Sequence, residues 1–208
     1  VKAQENGWGL LNLEDLPYWV KFTAAILVLD MVVYLQHLMF HAVPLFWKLH
    51  MVHHTDLDYD VTTGLRFHPI EIIISMVIKM MAVAALGPPA EAVVAFEVIL
   101  NGMAMFNHGN VRLPLWLDRI LRLVVVTPDM HRVHHSIYPR ETNSNFGFNL
   151  SWWDRLFGTY KAQPTDGHEG MTIGLLQFRE ASDLTLPKLL LLPFKGKQGK
   201  YTINRRGS

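Results

Sequence analysis

Three short histidine arrays constrain this chain more than any other feature. His37-Leu38-Met39-Phe40-His41 reads HxxxH, and His50-Met51-Val52-His53-His54 and His131-Arg132-Val133-His134-His135 both read HxxHH. Together they hold eight of the eleven histidines. On a helix, at ~100° per residue, positions i, i+3 and i+4 share a face, so each array is expected to aim its imidazoles at one point. Imidazole is the commonest metal-binding side chain because it is largely neutral near pH 7. So many imidazoles packed together without a cation would be a desolvation and repulsion liability. The pattern therefore predicts a site for more than one metal ion, and a fold that brings residues 37 and 135 together.

The segments between the arrays are apolar. Half of the 208 residues are hydrophobic and only 18% are charged, which is high hydrophobicity for a soluble domain and suits a single membrane-embedded body over residues 1–208. The net charge of +1 offers no global field for nucleic acid. With no cysteine, disulfides, thiolate zinc sites and cysteine-ligated iron–sulfur clusters are excluded, so any metal must be held by nitrogen and oxygen. The chain opens at Val1 and shows no signal-peptide pattern; its start is either processed or part of a longer protein, and whether a hydrophobic helix lies upstream is left open by the sequence.

Residues 8–19 mix aromatic, apolar and acidic groups, as in a segment lying at a membrane surface. Residues 20–43 carry Lys21 and Asp30 as their only formal charges and, at ~1.5 Å per residue, are long enough to cross a bilayer core. Pro69 can open a second apolar helix over residues 70–86, Gly87-Pro88-Pro89 is a turn, and residues 90–107 form a third, so the last two make a hairpin. Residues 114–126 read as a short amphipathic helix, and residues 186–194 as an apolar segment too short to span. The basic end, residues 195–208, is expected near lipid headgroups or mobile.

Topology follows by counting. The first helix ends at His37 and His41, and the hairpin leaves that side and returns to it. All three arrays can then meet on one face without a loop crossing lipid. That face carries Lys48, Arg66, Arg112, Arg119, Arg122, Arg132, Arg140, Arg155 and Lys161, whereas the hairpin tip has no Lys or Arg, so the histidine face is expected to be cytoplasmic. The predicted fold is all-α: an integral membrane helical bundle with a cytoplasmic, histidine-rich di-metal cap.

A ninth histidine, His108, lies at the returning end of the hairpin. Asn101 is seven residues before it and Glu97 eleven, and Asp30 is seven before His37; each falls within ~20° of its histidine on a helical wheel. Carboxylates within a membrane are costly and tend to face a functional interior. Asp30 and Glu97 are therefore candidate partners for imidazole N–H groups, with helix–helix hydrogen bonding as the equal alternative. Soluble di-iron bundles use Glu-x-x-His ligands, and this sequence has none.

The sequence resembles the fatty acid hydroxylase superfamily, also called the sterol desaturase family, of membrane non-haem di-iron oxygenases, and looks like a bacterial-like member. The likeness covers about residues 10–194. It is carried by FWKLHMVHHTD, TGLRFHPIE, VTPDMHRVHHS, SNFGFNLSWWDRLFGTY and MTIGLLQFRE, and by the order HxxxH, HxxHH, single His, HxxHH. The resemblance implies His37, His41, His50, His53, His54, His108, His131, His134 and His135 as ligands of two iron ions, replaceable by zinc in purified protein. It also implies O₂ and two electrons acting on an aliphatic C–H bond of a lipid or sterol, by hydroxylation, desaturation or a related outcome. The setting would be a bacterial inner membrane or an ER-type membrane. Some relatives place one more histidine where Ala104 stands, which leaves a tenth donor to Asn107, Asn101, water or His68.

His68 can equally cap the helix that Pro69 opens; Asp129 can orient a ligand or cap a helix after Pro128; Asn145 can fix the loop behind the third array or simply turn the chain. Trp152, Trp153, Asp154 and Arg155 read as packing and interface residues, and His168 as a surface residue. No haem or flavin motif is present, so electrons would come from a separate carrier of reductase, ferredoxin or cytochrome b type, with Arg112, Arg119, Arg122 and Arg132 as a docking face for an acidic donor. The competing reading is a membrane zinc protein, hydrolase or metal carrier. The sequence offers no histidine ladder through the hairpin and no evident general base for it.

Overall fold

The computed structural model describes residues 6–13, 15–195, 199 and 201–203. Among them there is no strand, only the isolated bridges Val125–Leu150 and Ser136–Ile173, so the all-α expectation holds. Three helices are long and apolar enough to cross a membrane: α1 (Tyr18–Ala42), α3 (Pro69–Leu86) and α4 (Ala90–Asn107). The short α2 (Pro44–His50) follows α1 directly.

Pro44 sets the break between α1 and α2. The residue before a proline is pushed out of the helical region, and Val43 sits at φ −96°, ψ 118°. α1 buries Ala25, Leu29, Asp30, Val33, Tyr34, His37, Phe40 and His41, a stripe at three- and four-residue spacing that runs into the histidines. α3 buries only Glu71 and Leu86 and leaves Ile72, Ile73, Met76, Val77, Met80 and Met81 exposed. Such a run of exposed apolar side chains on a helix whose backbone is satisfied internally suits a surface solvated by lipid tails.

The hairpin turns at Gly87, whose φ of 62° lies in the left-handed region, and its amide donates to Val83 O at 2.9 Å. A Cβ there would lie 2.0 Å from Trp8 O, so only glycine admits the N-terminal segment. That segment, a 3₁₀ turn over Leu10–Asn12, docks on the tip, where Asn12 Nδ2 donates to Gly87 O at 2.7 Å. Trp8, Leu10, Leu13 and Trp19 are exposed at this end. A core of Leu29, Val33, Leu86 and Phe96 ties α1 to both arms of the hairpin.

The opposite end is a cap of short helices: α5 (Leu115–Leu121), α6 (Pro128–His134), α7 (Pro139–Thr142), α8 (Trp152–Leu156), α9 (Gly167–Gly170) and α10 (Leu186–Lys195). α5 is half as long as the amphipathic run in the sequence because the chain turns after Arg122 and bridges Leu150 at Val125. A second core, Trp47, Met51, Leu175 and Tyr201, fastens the C-terminal segment to α2. Most of the basic end, residues 196–198, 200 and 204–208, lies outside the described residues.

Candidate metal centre

All nine histidines of the expected set are buried, at most 3% exposed, and they gather at the cap end of α1 and α4. α1 contributes His37 and His41, the end of α2 His50, a 3₁₀ turn His53 and His54, the end of α4 His108, and α6 with its C-cap His131, His134 and His135. They form two groups. His37, His41, His50, His54 and His134 form one, and His53, His108, His131 and His135 the other; within each, one ring nitrogen per residue lies within 4.8 Å of all the rest.

This corrects the expectation that each array points at one place, since both HxxHH arrays are split between the groups. The split has the same form in both arrays: the first and fifth positions, His50 with His54 and His131 with His135, stay together, and the fourth, His53 or His134, joins the other group. Neighbouring residues on a helical turn differ by ~100°, so the adjacent pairs His53-His54 and His134-His135 face different points.

Proton bookkeeping decides what the rings can bind. His37 Nδ1 lies 2.8 Å from Phe146 O, His134 Nδ1 2.8 Å from Ser144 O, and His108 Nδ1 2.7 Å from Ala104 O. A carbonyl only accepts, so each Nδ1 carries the proton and each Nε2 presents a lone pair. His41 Nδ1 meets Asn143 Oδ1 at 3.0 Å, and Asn143 is held in that sense because its Nδ2 donates to Tyr201 O at 2.6 Å. His50 Nδ1 donates to Glu71 Oε1 at 2.6 Å. The His37 and His50 Nε2 atoms then face each other at 3.1 Å, both as acceptors.

Buried Nε2 atoms of His41, His54 and His134 have no partner, nor has either nitrogen of His135. Such a set of buried, inward-facing lone pairs is the donor set that a cation would satisfy. Nitrogens ~2.1 Å from a shared ion lie about 3 Å apart when they are adjacent ligands, so the spacing fits. Burial also keeps the rings neutral: it pushes His50 down to about 3 and His108 to about 4, and holds His53, His54, His131, His134 and His135 well below the usual histidine range.

The expected outer partners are placed differently. Asp30 takes N–H groups from Trp153 Nε1 at 2.8 Å and Leu150 N at 3.2 Å. Glu97 pairs with Lys79 at 2.7 and 2.9 Å, and Asn101 donates to Glu97 O at 2.7 Å. Asn107 Nδ2 donates to Phe148 O at 2.6 Å, while its Oδ1 is buried without a partner. His68 caps α3, accepting from Ile70 N at 3.2 Å. Asp129 pairs with Arg132. Asn145, at φ 54°, donates to Met130 O and Lys161 O, both at 2.8 Å, so it both turns the chain and ties the end of α6.

None of these seven hydrogen-bonds one of the nine rings. For Asp30, Asn101 and Glu97 the reason is rise: seven or eleven residues return to the same face but ~10 or ~16 Å further along the axis. The expected basic docking face is largely neutralised as well. Arg122 pairs with Asp118, Arg132 with Asp129, and Arg112 with Glu169.

Sequence reasoning missed Glu71, Asn143 and the ring of Phe67, which stacks on His53 at 4.3 Å between centroids. Glu71 had a signal, since it is a carboxylate at the membrane end of an apolar helix, the argument applied to Asp30 and Glu97. Asn143 and the three carbonyls had none. Asp154 was read only as packing, yet it is fully buried and accepts from the amides of Phe146 and Gly147 at 2.7 and 2.8 Å, fixing the carbonyl that His37 uses.

Beside the five-histidine group lies a cavity of about 260 Å³. His37, His50 and Glu71 wall one end, Lys79 and Asn101 the other, with Val33, Phe40, Leu100 and Phe148 along it. A larger cleft of about 620 Å³, with Asp129, Arg132 and His168 in its wall, lies on the cap and touches none of the nine rings. His168 is half-buried there, 4.0 Å from Asp129.

Residues 22–159 match the model of the fatty acid hydroxylase family. An ornithine lipid hydroxylase from Rhizobium tropici is 28% identical over 149 residues, which are 71% of this chain and 44% of that protein. Human alkylglycerol monooxygenase is 32% identical over 172 residues, 79% of this chain and 36% of the other. Human cholesterol 25-hydroxylase is 27% identical over 137 residues, 65% of this chain and 49% of the other. The chain thus spans less than half the length of these curated relatives. No solved structure matches it significantly.

Proposed function

Because the chain belongs to the fatty acid hydroxylase family, we propose that it is a membrane di-iron oxygenase that oxidises an aliphatic C–H bond of a lipid or sterol. The observation that carries this reading is the pair of buried imidazole groups with their inward lone pairs, set against an apolar cavity between membrane-length helices. His37, His41, His50, His54 and His134 would hold one iron, and His53, His108, His131 and His135 the other. Bound iron would supply the O₂-activating redox chemistry that no side chain here provides.

The chain's own residues do the rest. Glu71, Asn143 and the carbonyls of Phe146, Ser144 and Ala104 hold the Nδ1 protons and so orient the Nε2 atoms. Phe40, Leu100 and Phe148 exclude water and hold an alkyl chain beside His37 and His50. For hydroxylation the balance is RH + O₂ + 2e⁻ + 2H⁺ → ROH + H₂O. The electrons come from a separate carrier of reductase, ferredoxin or cytochrome b type. The Lys and Arg residues on the histidine side support a cytoplasmic site, and the continuous helical body supports reading residues 1–208 as one unit.

The test is iron reconstitution of anaerobically purified protein in nanodiscs, followed by O₂ uptake and lipid product profiling with a chemical or enzymatic reductant. Two irons per chain and an oxidised lipid are expected. Tight zinc, with iron-loaded protein inert towards O₂ and every lipid class, would overturn the reading in favour of a non-redox zinc protein.

A further inference from the structure

Two short helices of the cap are turned inside out. On α5 and the turn that follows it, Trp116, Ile120 and Leu123 share one face and are 65, 58 and 60% exposed. The opposite face carries Asp118 and Arg122, which pair with each other and are at most 6% exposed. α8 repeats the pattern: Asp154 is fully buried, while Trp152 and Leu156 stand out on the other side. A helix at a water surface has the reverse order, apolar side in and charges out. The two outer faces are continuous, because Trp152 Nε1 donates to Leu123 O at 3.0 Å, Ser151 N to Val124 O at 3.1 Å and Arg155 Nη2 to Arg122 O at 2.8 Å. An exposed apolar patch of this kind marks a contact with something other than water.

Depth identifies the contact. α8 is pinned to the side of α1: Trp153 Nε1 and Leu150 N donate to Asp30 at 2.8 and 3.2 Å, Phe157 stacks on Tyr34 at 5.4 Å between centroids, and the Tyr34 hydroxyl meets Thr159 Oγ1 at 2.8 Å. Asp30 is the middle residue of the membrane-length α1 and lies ~10 Å along its axis from His37, towards the hairpin tip. Each arm of the hairpin has 18 residues. Tip and histidines are therefore ~27 Å apart, close to the ~30 Å of a bilayer's hydrocarbon core. With the tip and its exposed Trp8 and Trp19 at the far interface, hydrocarbon reaches the level of the histidines and takes in α8. We propose that the outer face of α5 and α8 is a lipid-contact surface: acyl chains of the histidine-side leaflet solvate Trp116, Ile120, Leu123, Trp152 and Leu156, and the cap is sunk into that leaflet rather than standing on it. The non-helical chain at this depth is shielded behind α8, where Ser144, Asn145, Phe146, Asn149 and Ser151 are buried. Arg119, exposed at the rim, has a stem long enough to carry its charge to the lipid phosphates. The inference does not depend on the oxygenase reading.

The chain has no cysteine, so a single introduced cysteine reports its own surroundings. Full-chain protein carrying Leu123→Cys or Leu156→Cys is spin-labelled in nanodiscs of phosphatidylcholine and phosphatidylglycerol. Met80→Cys on the lipid face of α3 and Arg140→Cys on the exposed cap serve as references. Collisions of the label with O₂, which concentrates in hydrocarbon, are compared with collisions with a water-soluble nickel chelate, which hydrocarbon excludes. At both positions the O₂-to-chelate ratio should match that at Met80→Cys and exceed that at Arg140→Cys by about tenfold or more. A ratio equal to that at Arg140→Cys would put the face in water and overturn the proposal. Exclusion of both reagents would assign the face to a protein contact, such as a second copy of the chain, and overturn it equally. A second measurement uses the native tryptophans. In nanodiscs whose lipids are brominated midway along their acyl chains, the wild type should lose fluorescence, and Trp116→Phe and Trp152→Phe should each shrink the quenched fraction. A quenched fraction unchanged in both variants would show that these side chains do not touch acyl chains and would sink the proposal.

Discussion

The two histidine groups differ in how firmly their rings are held. In the five-histidine group, four rings are fixed from behind: His37 by Phe146 O, His41 by Asn143, His50 by Glu71 and His134 by Ser144 O. In the four-histidine group only His108 has such an anchor, at Ala104 O. Nδ1 of His53 and of His131, and both nitrogens of His135, are buried without partners. The first group is therefore preorganised, and the second owes more of its order to whatever it binds. The position where the family resemblance leaves a tenth donor open, Ala104, lies beside the four-histidine group, since its carbonyl accepts from His108 Nδ1 at 2.7 Å.

The strongest break of this comparison comes from deleting a ring in each group. On the proposed di-iron reading, His134→Ala and His131→Ala should both lower product formation below detection, because that reading requires an ion in each group. Their metal contents should differ: His131→Ala is expected to retain one tightly held ion in the five-histidine group, and His134→Ala to bind both more weakly. Metal analysis of the two proteins after gel filtration checks this, and identical losses would mean that the groups are not independently ordered.

Glu71 is the next largest lever, since among the described residues it is the only carboxylate hydrogen-bonded to a ring in either group. Replacing Glu71 by leucine should weaken metal binding at the five-histidine group by about 10–100-fold, the usual cost of losing an outer partner of a ligand. Graded chelation reads the result. The wild type should release its metal in two phases, the four-histidine group first, and Glu71→Leu should merge them, while Glu71→Gln keeps an acceptor and shifts the second phase less. A single phase in the wild type would remove the distinction between the groups. Asn143→Ala, acting on His41 alone, should move the second phase by about tenfold or less, at the low end of the same range.

These levers also mark what could be read from the chain and what could not. The spans, the hairpin and the side on which the histidines meet follow from apolar length and from counting turns, and Pro44, Pro69 and Gly87 place the breaks. Gathering His37 with His134 was legible because eight imidazoles cannot be buried apart from a common purpose. The division into five and four was not, because the adjacent histidines of each HxxHH differ by ~100° around the helix, and which group each one joins depends on how the arrays pack against one another. Asp30 and Glu97 take the second of their two readings, hydrogen bonding between helices and to the cap, because a wheel projects out the rise along the axis. Ala104, Ser144 and Phe146 act through their carbonyls, and a carbonyl leaves no trace in residue type.

The smallest effect concerns the loop that carries two of the anchors. Asn143 and Ser144 follow α7, and Glu141 on that helix receives Lys161 Nζ at 2.8 Å, Thr165 N at 2.7 Å and Thr165 Oγ1 at 2.6 Å. These partners outweigh burial and hold the Glu141 carboxyl down to about 2. A carboxyl whose folded value lies below its unfolded value adds stability that is complete above about pH 4.5 and is lost as the pH falls towards 2. Glu141→Gln should therefore cost about 1 kcal/mol near neutral pH, since Lys161 is partly exposed and the pair is screened, and the difference from wild type should vanish in acid. Thermal unfolding of metal-free protein in detergent from pH 7 to pH 2 measures it. In metal-loaded protein the same substitution should broaden the release of the five-histidine group and leave the four-histidine phase in place, because Glu141 reaches the rings only through Asn143 and Ser144. A shift confined to the four-histidine phase would show that the loop does not carry the order ascribed to it.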